Sequence, residues 1–220
     1  MKYSPSQLVE KTKAFVQDRL KNAEGGHDWF HIQRVYNNAM QIASQENGHD
    51  VLVVQMAALL HDIADSKFHD GNEEIGPRIA LEFMASVGLA QATSQHVVKI
   101  IENISFKGGH GEGTFDSLEL QIVRDADRLD AMGAIGIART FNFGGFKNNA
   151  IYDPAIPPNP GMDKETYKKA NQPTLNHFHE KLLLLKDLMH TTTGRQLAEA
   201  RHEFMVQYLA QFHAEWNGKR

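Results

Sequence analysis

The stretch Ala57-Ala58-Leu59-Leu60-His61-Asp62-Ile63-Ala64-Asp65 sets a histidine and an aspartate directly behind an apolar run. Burying charge is costly unless it is paired or metal-bound, so this pair needs a reason. A helix end emerging into solvent would favour His61 through the helix dipole, whereas Asp62 is electrostatically disfavoured there without a cation. Metal ligation and a solvent-facing turn are both open for the pair. His27 and His31 stand four residues apart, with Arg34 three further on, so all three share a helical face that could simply be solvated. In Val123-Arg124-Asp125-Ala126-Asp127-Arg128-Leu129-Asp130, Asp127 and Asp130 share a face just after an apolar run. An ion-pair network with Arg124 and Arg128 would explain that pair as well as chemistry would. The chain holds 12 histidines and no cysteine, so any metal here must be held by N and O donors.

The elements that must position these residues are helical almost throughout. Leu8, Thr12, Phe15, Val16 and Leu20 mark a first amphipathic helix, with Ser4 as N-cap, Pro5 at the first position and Gln7 completing a capping box; Gly25-Gly26 closes it. Ile32, Val35, Tyr36, Ala39 and Ala43 mark a second, ended near Gly48. Residues 51–64 are apolar on nearly every face, which predicts a central, buried helix. Ile75 to Val87, closed by Gly88, is the next. Val97 to Ile104 follows with Ser94 as its expected cap, and then come a helix from about Asp116 and another over 130–141. Residues 108–114 read as a glycine-rich loop. Four of the seven prolines fall between Pro154 and Pro160, so 144–162 reads as a long surface loop of the kind that serves as a lid or binding loop. Leu175, Phe178, Leu182, Leu185 and Met189 predict one C-terminal helix, and Leu197 to Trp216 another, opened by a second capping box at Thr193-Gly194-Arg195-Gln196. The expected fold class is all-α.

Composition narrows the function classes. At 220 residues, 41% hydrophobic and 23% charged, the chain has one domain's worth of ordinary globular material. A net charge of −4 and a pI near 6.3 leave no basic excess to drive DNA, RNA or anionic-membrane binding. The sequence lacks a GxxxxGK[ST] phosphate loop, an HExxH zinc helix and a GxSxG elbow. Met1-Lys2-Tyr3-Ser4-Pro5 is followed by no apolar stretch and no run of 18 apolar residues occurs, so the expected location is the cytoplasm.

Taken in order, His31, His61-Asp62 and Asp127 make an H…HD…D series, and the chain resembles the HD-domain metal-dependent phosphohydrolase superfamily. His27-Asp28-Trp29-Phe30-His31-Ile32-Gln33-Arg34-Val35, Ala58 to Asp65, and Asp125 to Gly133 are similar to motifs of its YedJ/YpgQ-like subgroup, as are Thr193-Gly194-Arg195 and the last helix. The resemblance implies a single HD-type domain over 1–220, with a metal-binding core at about 20–145 and C-terminal helices at 173–217. It also implies His31, His61, Asp62 and Asp127 as metal ligands. That N2O2 set would leave room for water and substrate on one octahedral Mn²⁺, Mg²⁺, Fe²⁺, Co²⁺ or Ni²⁺ ion, whereas closed tetrahedral Zn²⁺ would leave none. Such an ion activates water and polarises a phosphoryl oxygen. Asp65, one turn beyond Asp62, is the expected general base, with a helix-end acid or a hydrogen-bonding partner of a ligand histidine as the alternative. His27, Arg34, Lys67, Lys107, Arg128 and Lys181 are the expected substrate contacts, Arg34 and Lys67 foremost; a solvated surface role stays open for Lys107, Arg128 and Lys181, and His27 could instead support a ligand or cap the preceding loop.

The implied activity is hydrolysis of (deoxy)nucleoside triphosphates to monophosphate and pyrophosphate. A phosphomonoesterase, and a non-catalytic nucleotide- or metal-binding sensor, are the alternatives. Aromatic residues on the C-terminal helices make a homodimer an expectation. His177 and His179 are expected to face solvent, and His96 shows no acidic partner along the sequence.

Overall fold

A computed structural model describes residues 2–21, 23, 28–64, 74–104, 115–161 and 172–220. Among them are nine α-helices, one 3₁₀ helix and no strand. The helices are α1 (Pro5–Arg19), α2 (Trp29–Ala43), α3 (Val51–Leu60), α4 (Ile75–Ser86), α5 (Gln91–Ile104), α6 (Leu118–Asp130), α7 (Gly133–Phe146), α8 (Asn176–Glu180) and α9 (Thr192–Trp216), with the 3₁₀ helix at Leu182–Leu188 between the last two. The all-α expectation is met. The chain divides into two compact units, Met1–Asp127 and Arg128–Arg220.

In the first unit α3 is the hub, packing against α1, α2 and α5, while α4 pairs with α5. Its sequence explains this position. Val53, Val54, Met56, Ala57, Ala58, Leu59 and Leu60 are all buried, and each fully buried Leu contributes about 1.5–3 kcal/mol. Asp50 caps it by accepting from the Leu52 and Val53 N–H groups. The capping box at Ser4, Pro5 and Gln7 opens α1 as the sequence predicts. Phe15 of α1 stacks on Phe83 of α4 with ring centroids 4.1 Å apart. The buried Thr12 hydroxyl donates back to the Leu8 carbonyl at 2.8 Å, which satisfies it inside the core. Helix α5 begins three residues before Ser94, whose N–H donates to the Ala90 carbonyl at 2.9 Å. Ser94 is therefore a buried residue of the first turn and not the cap.

In the second unit α7 and the 3₁₀ helix pack against α9. Gly133 opens α7 at φ 67°, a left-handed conformation suited to glycine, and the helix runs on to Phe146, past the expected stop near 141. Gly144 lies against the Thr174 side chain with no room for a Cβ. The described part of the proline-rich stretch is tied down: Thr174 N–H donates to Ala150 O at 2.8 Å, Leu175 N–H to Ile151 O at 3.0 Å, and Asn159 N–H to Glu180 Oε1 at 3.0 Å. The single helix expected over 175–189 is instead α8 and a 3₁₀ helix, separated by Lys181 at φ −144°. The three-residue 3₁₀ period buries Leu182 and Leu185 together. Helix α9 is capped by Thr191, which accepts from Gly194 N–H, two residues ahead of the expected box. Phe178 is fully buried between Phe141 and Tyr208. Among the described residues no helix is long and apolar enough to cross a membrane.

Candidate metal centre

Three helix ends of the first unit carry the side chains singled out above. His31 stands in the first turn of α2, where its backbone N–H is capped by Asp28 Oδ1 at 3.0 Å. His61 and Asp62 directly follow the last residue of α3. Asp127 lies in the last turn of α6. His31 Nε2 is 3.5 Å from Asp127 Oδ1 and 3.9 Å from Asp62 Oδ2, and His61 Nε2 is 3.8 Å from the same Asp127 oxygen. The two imidazoles meet edge to face with centroids 5.4 Å apart. His31, His61 and Asp127 offer three ligand atoms within 4.8 Å of one another, a group that could hold a metal ion.

The solvent-facing reading of His61 does not hold, because its side chain is buried at the end of α3. Its Nδ1 lies 2.9 Å from the Ala58 carbonyl, one of the acceptors that a helix C-terminus leaves without a partner. A carbonyl only accepts, so Nδ1 carries a proton, which in a neutral ring leaves the lone pair on Nε2. That Nε2 is buried and has no hydrogen-bond partner. A buried acceptor in this state costs free energy, and a cation among the three donors would remove that cost.

Electrostatics point the same way. Asp62 follows the C-terminus of α3 and Asp127 stands in the last turn of α6, so both carboxylates sit at negative helix ends, where an anion is unfavourable and a cation is favoured. Donors about 2.1 Å from an octahedral ion lie about 3.0 Å apart when adjacent and about 4.2 Å apart when opposed. The observed separations of 3.5, 3.8 and 3.9 Å fall within that range. The residues present therefore fit a divalent metal.

The other expected site residues divide. Arg34 stands one turn beyond His31 on α2, half-buried. Arg128 and Lys181 belong to the second unit; Arg128 Nη1 donates to the Leu188 carbonyl, and Lys181 separates α8 from the 3₁₀ helix. His27, Asp65, Lys67 and Lys107 lie outside the described residues. Asp130 pairs with Arg139 at 2.6 Å.

Two expectations about other histidines are overturned. His96 has an acidic partner, Glu119 Oε2 at 3.5 Å, and its Nε2 also meets Ser117 Oγ at 3.0 Å. Burial pushes the Glu119 carboxyl up, but N–H donation from Asp50 and from its own backbone, with the charge of His96, brings it below the ordinary range. His177 is half-buried rather than open to solvent: burial, helped by the Lys181 ammonium, lowers its pKa to about 3. Sequence reasoning also missed Asn38, whose Nδ2 donates to the Ala126 carbonyl at 3.2 Å. The available signal was an amide inside the apolar stripe of α2, two turns beyond His31.

Residues 29–132 match the family model of the HD domain. YpgQ of Bacillus subtilis (strain 168) is 36% identical over 212 residues, which span 96% of this chain and 94% of that one. The crystal structure of an HD-superfamily hydrolase from Bacillus thuringiensis has 42% identity and a TM-score of 0.78, covering 97% of this chain and 99% of its own. Bacillus subtilis YpgQ in complex with ADP has 34% identity and a TM-score of 0.77, covering 98% and 97%. Helices throughout the described residues, with a His/Asp cluster of this order that could hold a metal, define the class of HD-type metal-dependent hydrolases. The chain belongs to the HD-domain family, with YpgQ among its relatives.

Proposed function

We propose that this hydrolase acts on nucleoside triphosphates, deoxynucleotides foremost, and releases the monophosphate and pyrophosphate. The observation that carries the metal-dependent reading is the buried Nε2 of His61, which has no hydrogen-bond partner and faces Asp127 and His31. The nucleotide class is supported by the ADP complex of the relative YpgQ.

In this reading His31, His61, Asp62 and Asp127 hold one divalent cation, Mn²⁺, Mg²⁺, Fe²⁺, Co²⁺ or Ni²⁺. When bound, that cation supplies Lewis-acid polarisation and water activation. The Nδ1–H of His61, donated to Ala58, keeps the ring in the ligating tautomer and fixes its plane. Asp65, three residues beyond Asp62, accepts the proton of the attacking water. Arg34 and Lys67 neutralise phosphate oxygens, with His27 beside the substrate. One water is consumed, the bond between the α-phosphorus and the α,β-bridging oxygen breaks, and pyrophosphate leaves. Arg128 is a weaker phosphate contact, because one of its guanidinium nitrogens is already bonded to Leu188. Lys181 is a weaker candidate too, because its ammonium already interacts with His177.

The test is product analysis of dATP incubated with the protein and Mn²⁺, resolved by anion-exchange chromatography. Equal amounts of dAMP and pyrophosphate are expected. Orthophosphate with dADP, or activity confined to phosphomonoesters, contradicts the proposed scissile bond.

A further inference from the structure

Asn38 lies within the apolar stripe of α2, between Val35 and Ile42, and is only 8% exposed. Seven residues, two helical turns, separate it from His31, so the two side chains share a face. That face meets α6 twice. His31 reaches the Asp127 carboxylate at 3.5 Å, and the Asn38 amide donates at 3.2 Å to the carbonyl of Ala126, the residue immediately before Asp127.

A carbonyl inside a helix is ordinarily paired within that helix, so α6 does not need this bond for its own backbone. An alkyl side chain at position 38 would fill the space between α2 and α6 without desolvating an amide. Buried amides cost free energy unless they are paired. Their best-attested use is to fix register, because the amide is satisfied at one axial offset and not at the next. Apolar side chains alone tolerate a small slide of one helix along another. Metal donors carried on two helices do not, since their distances must hold to within about 0.2 Å.

We propose that Asn38 is a positioning residue of the metal centre. Its amide locks α2 against α6 at the offset that sets His31 opposite Asp127, so divalent-cation affinity depends on a side chain that is not itself a ligand. The proposal rests on the metal reading of His31, His61 and Asp127. The test compares the full chain with Asn38→Leu and Asn38→Ala by calorimetric Mn²⁺ titration, by the visible absorption of the Co²⁺-loaded protein, and by metal-free melting. Both variants are expected to fold and to bind Mn²⁺ about 10–100-fold more weakly, as when hydrogen-bonding partners of ligands are lost. The Co²⁺ bands are expected to change in position and intensity. A residue that serves stability alone would lower the metal-free melting temperature while leaving Mn²⁺ affinity and the Co²⁺ spectrum as in the wild type, and that result overturns the proposal. Failure of both variants to fold without metal overturns it too, since Asn38 would then be a determinant of the fold. Wild-type protein that binds neither ion removes the metal reading itself and the proposal with it, an outcome distinct from the other two.

Discussion

In the proposed site the two nitrogens of His61 have two tasks, and substitution separates them. Asn places an amide N–H near the position of Nδ1 and can keep the bond to Ala58 O, but has nothing at Nε2. Gln reaches toward the position of Nε2 and gives up the cap. Ala loses both. Loss of the 2.9 Å bond to Ala58 removes about 1 kcal/mol, or roughly 2–4 °C in a chain of this size. Loss of the ligand is seen only when metal is present. With Mn²⁺ at a hundred times its Kd, binding stabilises the wild type by about 2.7 kcal/mol, a rise of roughly 5–10 °C. A variant binding a hundredfold more weakly gains about 0.4 kcal/mol at the same concentration, near 1 °C. Differential scanning fluorimetry with and without Mn²⁺ reads both quantities. His61→Asn should melt close to the wild type without metal and lose nearly all of the Mn²⁺ shift. His61→Gln should melt lower without metal and retain part of the shift. A His61→Asn protein with the full wild-type Mn²⁺ shift would refute the role of Nε2.

Asp65→Asn should lower turnover by about 10²–10⁴-fold while leaving the Mn²⁺ melting shift intact; unchanged turnover removes Asp65 as the base. His177 gives a pH signature. Its pKa is about 3 in the folded chain and ordinarily 6.5, so its contribution is fully present above pH 6.5 and is lost as pH falls toward 3. Urea unfolding should show about 2 kcal/mol less stability at pH 5 than at pH 7 from this group, and His177→Gln should flatten that slope; an equal slope in the variant refutes the assignment. Gly136→Ala would drive its Cβ into the Ala131 carbonyl and should destabilise the protein by about 1–3 kcal/mol in the same assay, with no loss expected if α7 can shift freely.

The features legible in the sequence were those whose cause is local or whose residue type is out of place. Ser4, Pro5 and Gln7 interact within one turn, so the capping box could be read directly. His61 and Asp62 were conspicuous because Ala57 to Leu60 had to be buried. What escaped depended on tertiary packing. Choosing Thr191 over Thr193 as a cap turns on backbone torsion, not on residue type. The run Leu182 to Leu185 fits an α-helix as well as a 3₁₀ helix, and packing against α9 decides between them. The partner of His96 is 23 residues away, at Glu119. His177 stands beside a core phenylalanine, and periodicity alone does not tell which neighbour of Phe178 is half-buried and which is exposed.

On the proposed reading, these helix ends form one divalent-metal site. Anomalous diffraction from Mn²⁺-soaked crystals at the manganese edge tests it most directly. One strong peak is expected within about 2.5 Å of His31 Nε2, His61 Nε2 and carboxylate oxygens of Asp62 and Asp127. A protein that takes up manganese elsewhere, or shows no peak between these four residues, would contradict that reading.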